Sequence, residues 1–217
     1  MFHFSRAMGA AASLLVVAHC VEAKPIAYAK GTTVMAEHGA GTMNELQLFY
    51  APRYFYSAGI GHLALQSDLD SRTRDVTYAR LNYLARRWNG EGSQGNVFLW
   101  GGAGQAHIGG DGGVFAWNAG VQADFETRRF YASLKTDFHD STAFSHRIDT
   151  LQLGIAPYEH DYDTLATWFV VQGRRYTGEI HDGTEWALLL RFFKRNGWIE
   201  AGATTDGNVQ AMLMINF

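Results

Sequence analysis

The chain has a single cysteine, Cys20, and only three prolines in 217 residues. One cysteine excludes an intrachain disulfide framework and any multi-thiolate metal site. Scarce proline beside 24 glycines argues against a proline-rich disordered chain and suits many strands joined by tight turns. An excess of positive charge is also missing. Lys and Arg total 18 against 21 Asp and Glu, a net charge of −3 that lacks the basic footprint of a nucleic-acid binder. Beyond the first residues no stretch approaches the roughly 20 consecutive apolar residues of a spanning helix. The composition is nevertheless 47% hydrophobic and 14% aromatic, with a slightly negative mean hydropathy. Apolar residues must therefore be interleaved with polar ones.

The N-terminus reads as an export signal. Arg6 marks a short basic region, Met8 to Ala18 is apolar with Leu14, Leu15, Val16 and Val17, and Val21-Glu22-Ala23 is a small-residue cleavage site. Cleavage after Ala23 is expected. His19 stands where a lipobox has a small residue, so Cys20 does not read as a lipidation site. Removing residues 1–23 takes away Arg6 and Glu22, leaves the net charge unchanged and leaves no cysteine. Residues 24–30 form a lead-in, and residues 31–217 form one domain.

Alternation dominates that domain. Phe115, Trp117, Ala119, Val121, Ala123 and Phe125 share one parity; Ala116, Asn118, Gly120, Gln122, Asp124 and Glu126 share the other. Phe130, Ala132, Leu134, Thr136 and Phe138 then alternate with Tyr131, Ser133, Lys135, Asp137 and His139. Successive strand side chains point to opposite faces, so each segment has an apolar and a polar face. A two-residue hairpin at Thr127-Arg128 predicts that Phe125 pairs with Phe130, Val121 with Leu134 and Trp117 with Phe138, while Glu126 meets Arg129 and Asn118 meets Asp137. Ten residue steps cover about 33 Å of strand, enough at a tilt of 40 to 45° to cross roughly 25 Å of hydrocarbon.

Comparable strands are predicted near 31–38, 43–51, 54–65, 74–87, 96–107, 146–156, 163–175, 184–195, 198–205 and 208–217, making about twelve, with ten as the alternative. Residues 78–88 also fit a short helix. Asn196-Gly197 predicts a type I′ hairpin and Asp206-Gly207 a second turn. With both termini on one side, Ala51-Pro52-Arg53, Thr127-Arg128 and Asn196-Gly197 fall there as short turns, and the longer segments 66–73, 140–145 and 176–183 fall opposite. Two connections fit poorly: 89–95 is long for its side and Asp206-Gly207 short.

The final segment sets Val209, Ala211, Leu213, Ile215 and Phe217 on one face and ends on an aromatic residue. Together with the export signal and the alternating segments, this resembles the bacterial outer-membrane β-barrel class. The resemblance implies an all-β fold, a closed antiparallel transmembrane barrel, in contact with outer-membrane lipid and recognised by the barrel assembly machinery through its last strand. Closure is required because a strand edge in lipid leaves backbone groups without partners. The alternative is an exported soluble barrel with the apolar parity inside, but its strands would average about six residues.

On the barrel reading Phe115, Trp117, Val121, Phe125, Phe130, Leu134, Phe138, Leu213 and Phe217 face lipid. Arg80, Gln105, Asn118, Gln122, Asp124, Glu126, Arg129, Lys135 and Asp137 line the lumen, as does His139. Mixed charges there either line a water-filled passage or pair into a plug. The glycines from Gly101 to Gly113 lack a following Lys-Ser/Thr and any helix, so they are kinks and loop and not a phosphate cradle; no cofactor is expected. The expected function is a non-enzymatic barrel, either a narrow pore for small solutes or a closed scaffold acting through its outer loops. An esterase is the alternative: His139-Asp140-Ser141 partly resembles the His-x-Ser-Asn motif of lipid A deacylases, implying His139 as base, Ser141 as nucleophile and Asp149 as the nearest acid. Thr142 stands in place of that motif's Asn. Met35, His38 and Met43 are close enough in sequence to suggest a soft-metal site. Mass spectrometry of the exported protein is expected to show a chain starting at Lys24; a mass retaining residues 1–23 would refute the cleavage assignment.

Overall fold

The computed structural model describes residues 29–67, 70–160, 163–176, 180–181 and 183–217. The expected signal segment and most of the lead-in lie outside them. Twelve strands are present among the described residues. They are β1 (Gly31–Gly39), β2 (Met43–Arg53), β3 (Tyr56–Gln66), β4 (Thr73–Gly90), β5 (Ser93–Ile108) and β6 (Val114–Thr127). The second half holds β7 (Phe130–Ser141), β8 (Ser145–Ile155), β9 (Ala166–Tyr176), β10 (Thr184–Lys194), β11 (Gly197–Thr204) and β12 (Val209–Asn216). Each pairs antiparallel with its sequence neighbours, and β1 pairs with β12 to close the barrel. The fold is an all-β, closed antiparallel barrel of twelve strands.

Closure is continuous to the chain end. Thr33 lies opposite Asn216, with their side chains hydrogen bonded at 2.7 Å, and the backbones of Thr32 and Phe217 exchange two hydrogen bonds. No strand edge is left open at this seam. The segment 78–88 is part of β4 and not a helix: Tyr78, Arg80, Asn82 and Leu84 point inward, and Ala79, Leu81 and Tyr83 point outward. Alternation with period two outweighs its helix-compatible composition because both of its neighbours supply hydrogen-bonding edges.

The start of β1 and the end of β12 lie at one end, called here the termini end; the other is the loop end. The apparent misfit at 89–95 disappears because β4 and β5 run further than expected and meet at a two-residue turn, Glu91-Gly92, with Gly92 at φ 70°. Two hairpins sit slightly off their predicted positions. The β6–β7 turn is Arg128-Arg129, which pairs Phe125 with Ala132 and Val121 with Thr136. Thr127 Oγ1 accepts hydrogen bonds from the backbone N–H of Arg129 and Phe130, which fixes the turn there. The β10–β11 turn is Arg195-Asn196, with Arg195 at φ 55° and Gly197 opening β11. Both shifts move partners by an even number of residues, so every side chain keeps its face. The link from β8 to β9, of which residues 156–160 and 163–165 are described, is the longest connection at the termini end.

The outward face carries a continuous apolar belt that includes Leu46, Ile60, Leu81, Leu99, Phe115, Val121, Leu134, Leu153, Phe169, Leu188, Ile199 and Leu213. The inward face is packed. Gly120 shows how tightly: a Cβ there would lie 2.4 Å from the Trp100 ring and 2.5 Å from the Thr136 carbonyl oxygen. Gly120→Val is expected to destabilise the barrel by roughly 1–3 kcal/mol through overpacking, read as a lower urea midpoint of unfolding; an unchanged midpoint would mean the indole is not seated against β6.

Candidate functional site: the barrel interior

Three layers stack inside the barrel. At the loop end, Met43, Leu63, Leu65, Val76, Tyr78, Ala106, Ala116, Phe144, Ile148, Tyr176 and Ile180 form an apolar cluster. At the termini end, Tyr131, Trp168, Val170, Leu189, Phe193, Trp198 and Met214 form a second, and Ala51, Leu84, Phe98 and Trp100 a third beside it. Leu63, Leu65, Trp198, Met214 and Phe98 are each 0 or 1% exposed, so apolar side chains pack closely inside the barrel toward both ends.

Between them lies a charged and amide-rich layer in which most charges are paired. Arg80 Nη2 donates to Asp137 at 3.2 Å, and its Nε donates to Asn118 at the same distance. The Trp100 indole N–H also donates to Asp137, at 3.0 Å. Arg80 lies 4.3 Å from the Tyr78 ring centroid, and Tyr78 donates its hydroxyl to Glu45 at 2.6 Å. Across the lumen, Arg191 is 2.9 Å from Glu200 and lies over the Tyr131 and Trp198 rings. It also starts a relay in which Arg191 donates to Gln152, Gln152 to Gln172, Gln172 to Gln210 and Gln210 to Glu185. Arg174 pairs with Glu37 and reaches Met43 Sδ. In a low-dielectric interior such pairs persist when most of their remaining donors and acceptors are met. The glutamines and tyrosines meet many of them, while Arg174 Nε and Asn118 Nδ2 are left without a hydrogen-bond partner among the described residues.

Two small cavities interrupt this layer. One, of about 90 Å³, is bordered by Gln122, Ser133, Lys135, Gln172 and Glu200, among others. The other, of about 30 Å³, is bordered by Gln47, Arg80, Asn82 and Trp100. Met35, Gln122 and Lys135 border both. The larger has room for several waters with abundant partners. Lys135 is the least confined of these inward cations: its side chain is 28% exposed, and its Nζ stands 3.9 Å from Asp137.

Of the residues expected in the lumen, Arg80, Asn118, Gln122, Asp124, Glu126, Lys135, Asp137 and His139 point into the barrel. Two do not. Gln105 points outward, because on β5 the inward parity belongs to Trp100, Gly102, Gly104 and Ala106. Arg129 is exposed in the β6–β7 turn and donates to the Ala156 and Pro157 carbonyls at 3.3 Å, since the hairpin turns one residue later than expected. The expected lipid-facing set, Phe115, Trp117, Val121, Phe125, Phe130, Leu134, Phe138, Leu213 and Phe217, points outward.

The esterase trio does not assemble. His139 is buried in the lumen, stacked at 4.9 Å on His146. Ser141 Oγ donates to the Phe144 carbonyl at 2.8 Å and accepts from the N–H of Ala143 and Phe144, so it caps a hairpin. Asp149 faces outward and holds Thr136 and Arg147. The metal trio is divided as well: Met35 and Met43 face the lumen while His38 faces outward, bonded to Asn44 at 2.6 Å. Adjacent parities cannot share one ion. Glu37, Glu45, Gln152, Gln172, Arg174, Glu185, Arg191, Glu200 and Gln210 are interior residues that the sequence reading missed. The signal existed in β10, where Glu185, Ala187, Leu189, Arg191 and Phe193 alternate with Trp186, Leu188, Leu190 and Phe192.

In the segment between β3 and β4, Asp70 accepts two hydrogen bonds from Arg74 and one from the Arg72 N–H. These donors, Arg74 first, hold its carboxyl well below the usual carboxylate range. The tie between loop and β4 is therefore present above the ordinary carboxylate pKa and is lost only in strong acid.

No family model matches the chain, and no curated protein matches its sequence. Among solved structures, the chain is similar to the KdgM porin in complex with disordered oligogalacturonate, at 8% identity and TM-score 0.48, covering 86% of this chain and 98% of that one. A second KdgM porin structure gives 7% identity and TM-score 0.45 over the same shares. CdiB from Acinetobacter baumannii gives 10% identity and TM-score 0.32, covering 88% of this chain and 61% of that one. Within the lumen the Arg80 pair makes the sharpest prediction. Arg80→Ala removes the guanidinium paired with buried Asp137 and is expected to cost about 3–5 kcal/mol, whereas Arg80→Met with Asp137→Leu should lose far less. Equal losses for the single and double variants in urea unfolding would contradict the pairing.

Proposed function

We propose that this chain is a non-enzymatic β-barrel of the bacterial outer membrane, with its apolar belt in lipid hydrocarbon and its termini on the periplasmic side. The outward belt carries the reading. Leu188 is 71% exposed and Phe115 69%, and residues like them recur on strand after strand. A soluble monomer seldom exposes an apolar patch beyond a few hundred Å², and this belt encircles the molecule. Aromatic residues mark its edges: Trp117 and Trp186 toward the loop end, Tyr54, Phe55, Trp88, Phe130 and Phe217 toward the termini end. Such girdles belong at membrane interfaces. Export through residues 1–23 and recognition of β12 with Phe217 by the assembly machinery complete the proposal.

Within that class we read the lumen as a narrow path for small solutes, shut at rest. Support comes from the mid-height chamber, where Lys135 borders both cavities among glutamines and unexhausted polar groups. Passage requires the apolar layers at both ends to part. Those same layers favour a second reading, a closed scaffold acting through its outer loops. Planar-bilayer recording separates the two. Small discrete conductance steps that grow in Lys135→Ala identify the path; a silent bilayer for both proteins leaves the scaffold.

A further inference from the structure

We propose that the outer wall of β7–β10 carries a binding site for an anionic, phosphate-bearing membrane lipid in the leaflet at the loop end. The inference rests on the membrane reading and is independent of whether the lumen conducts. Arg147 and Arg175 are both exposed and outward, within two residues of the loop-side ends of β8 and β9. They flank Asp149, which lies directly opposite Arg175 in the β8–β9 register. Asp149 is occupied on its other side: Arg147 Nε and Nη2 reach its Oδ2 at 2.9 and 2.8 Å, and Thr136 Oγ1 donates to its Oδ1 at 2.8 Å. Among the described residues the Arg175 side chain has no hydrogen bond or ion pair. The one carboxylate between the two guanidiniums is engaged by Arg147 alone. A positive charge remains at the upper edge of the belt.

Directly below, an outward groove of about 180 Å³ is bordered by Leu134, Leu151, Gly173 and Trp186, among others, with Arg175 and the Arg147-bound Asp149 at its upper rim. Gly173 makes the groove. Its absent Cβ would stand 2.9 Å from the Trp186 ring, so only glycine lets the indole lie across β9. The floor is apolar, the indole forms one wall, and the arginines stand at the headgroup end. That arrangement matches an acyl chain below and a phosphate above, which arginine recognises by paired N–H donors. Charge complementarity also explains the arginines themselves. On a lipid-facing position an arginine is tolerated only near the interface, and a lipid phosphate supplies the counter-charge Asp149 cannot give to both.

The test uses the full barrel in detergent micelles doped with phosphatidylglycerol or phosphatidylcholine, with retained lipid counted by native mass spectrometry. Folding is checked by circular dichroism. The wild type is expected to retain phosphatidylglycerol preferentially, and Arg175→Ala to lower that retention roughly fivefold. Arg128→Ala, at the opposite end, should leave it unchanged. Gly173→Leu, which displaces the indole, should reduce retention of both lipids. A folded wild type with no preference, or a preference that survives Arg175→Ala, overturns the site while leaving the membrane reading intact. Failure of the wild type to enter lipid vesicles at all counts against the membrane reading instead.

Discussion

The seam between β1 and β12 is the constraint on which the rest depends. Hydrocarbon offers no partner to a backbone N–H or C=O, so a sheet can sit in it only when its last strand finds its first. Here Val34 to Gly39 face Ile215 to Gln210, and Thr32 and Phe217 extend the ladder to the chain end. Once the sheet is closed, side chains have two destinations only, and one-residue alternation becomes the whole design. A slip of one residue at any pair would send arginines into the belt and leucines into the lumen.

Closure also determines what the interior must be. A twelve-stranded barrel of this size is too wide for small side chains to fill, and this chain fills it with Arg80, Arg174, Arg191, Trp100, Trp168 and Trp198. Large cations are held there by aromatic faces and by carboxylates one to four strands away, as with Arg80 over Tyr78 and against Asp137. Charged pairs thus occupy mid-height and apolar clusters lie toward both ends of the lumen. Charged groups on the outer wall, such as Arg147, Asp149 and Arg175, lie near the loop-side strand ends, at the edge of the belt.

Much of the fold was legible because period-two alternation is a local signal. Trp117, Val121 and Phe125 declare one face of β6 without reference to any partner. Hairpin register was less legible: the Thr127 hydroxyl and the left-handed Arg195 move two turns by one residue, and neither effect is visible in a hydrophobic pattern. Parity survived because the partners moved by two. Interior chemistry was legible only where alternation was clean. In β5 the run from Gly101 to Gln105 has too few large side chains to mark a face, so Gln105 was misplaced. In β10 the apolar residues on both parities, Leu188 to Leu190 and Phe192 to Phe193, concealed Glu185 and Arg191. The esterase and metal groupings rested on closeness along the chain, which a strand converts into opposite faces.

The six tryptophans divide evenly, Trp88, Trp117 and Trp186 outward against Trp100, Trp168 and Trp198 inward, and offer the most direct measurement. Single-tryptophan variants in vesicles with brominated acyl chains should show strong fluorescence quenching for Trp117 and Trp186 and little for Trp100 and Trp198. Quenching of the second pair with protection of the first would place the apolar belt inside the protein and contradict the account.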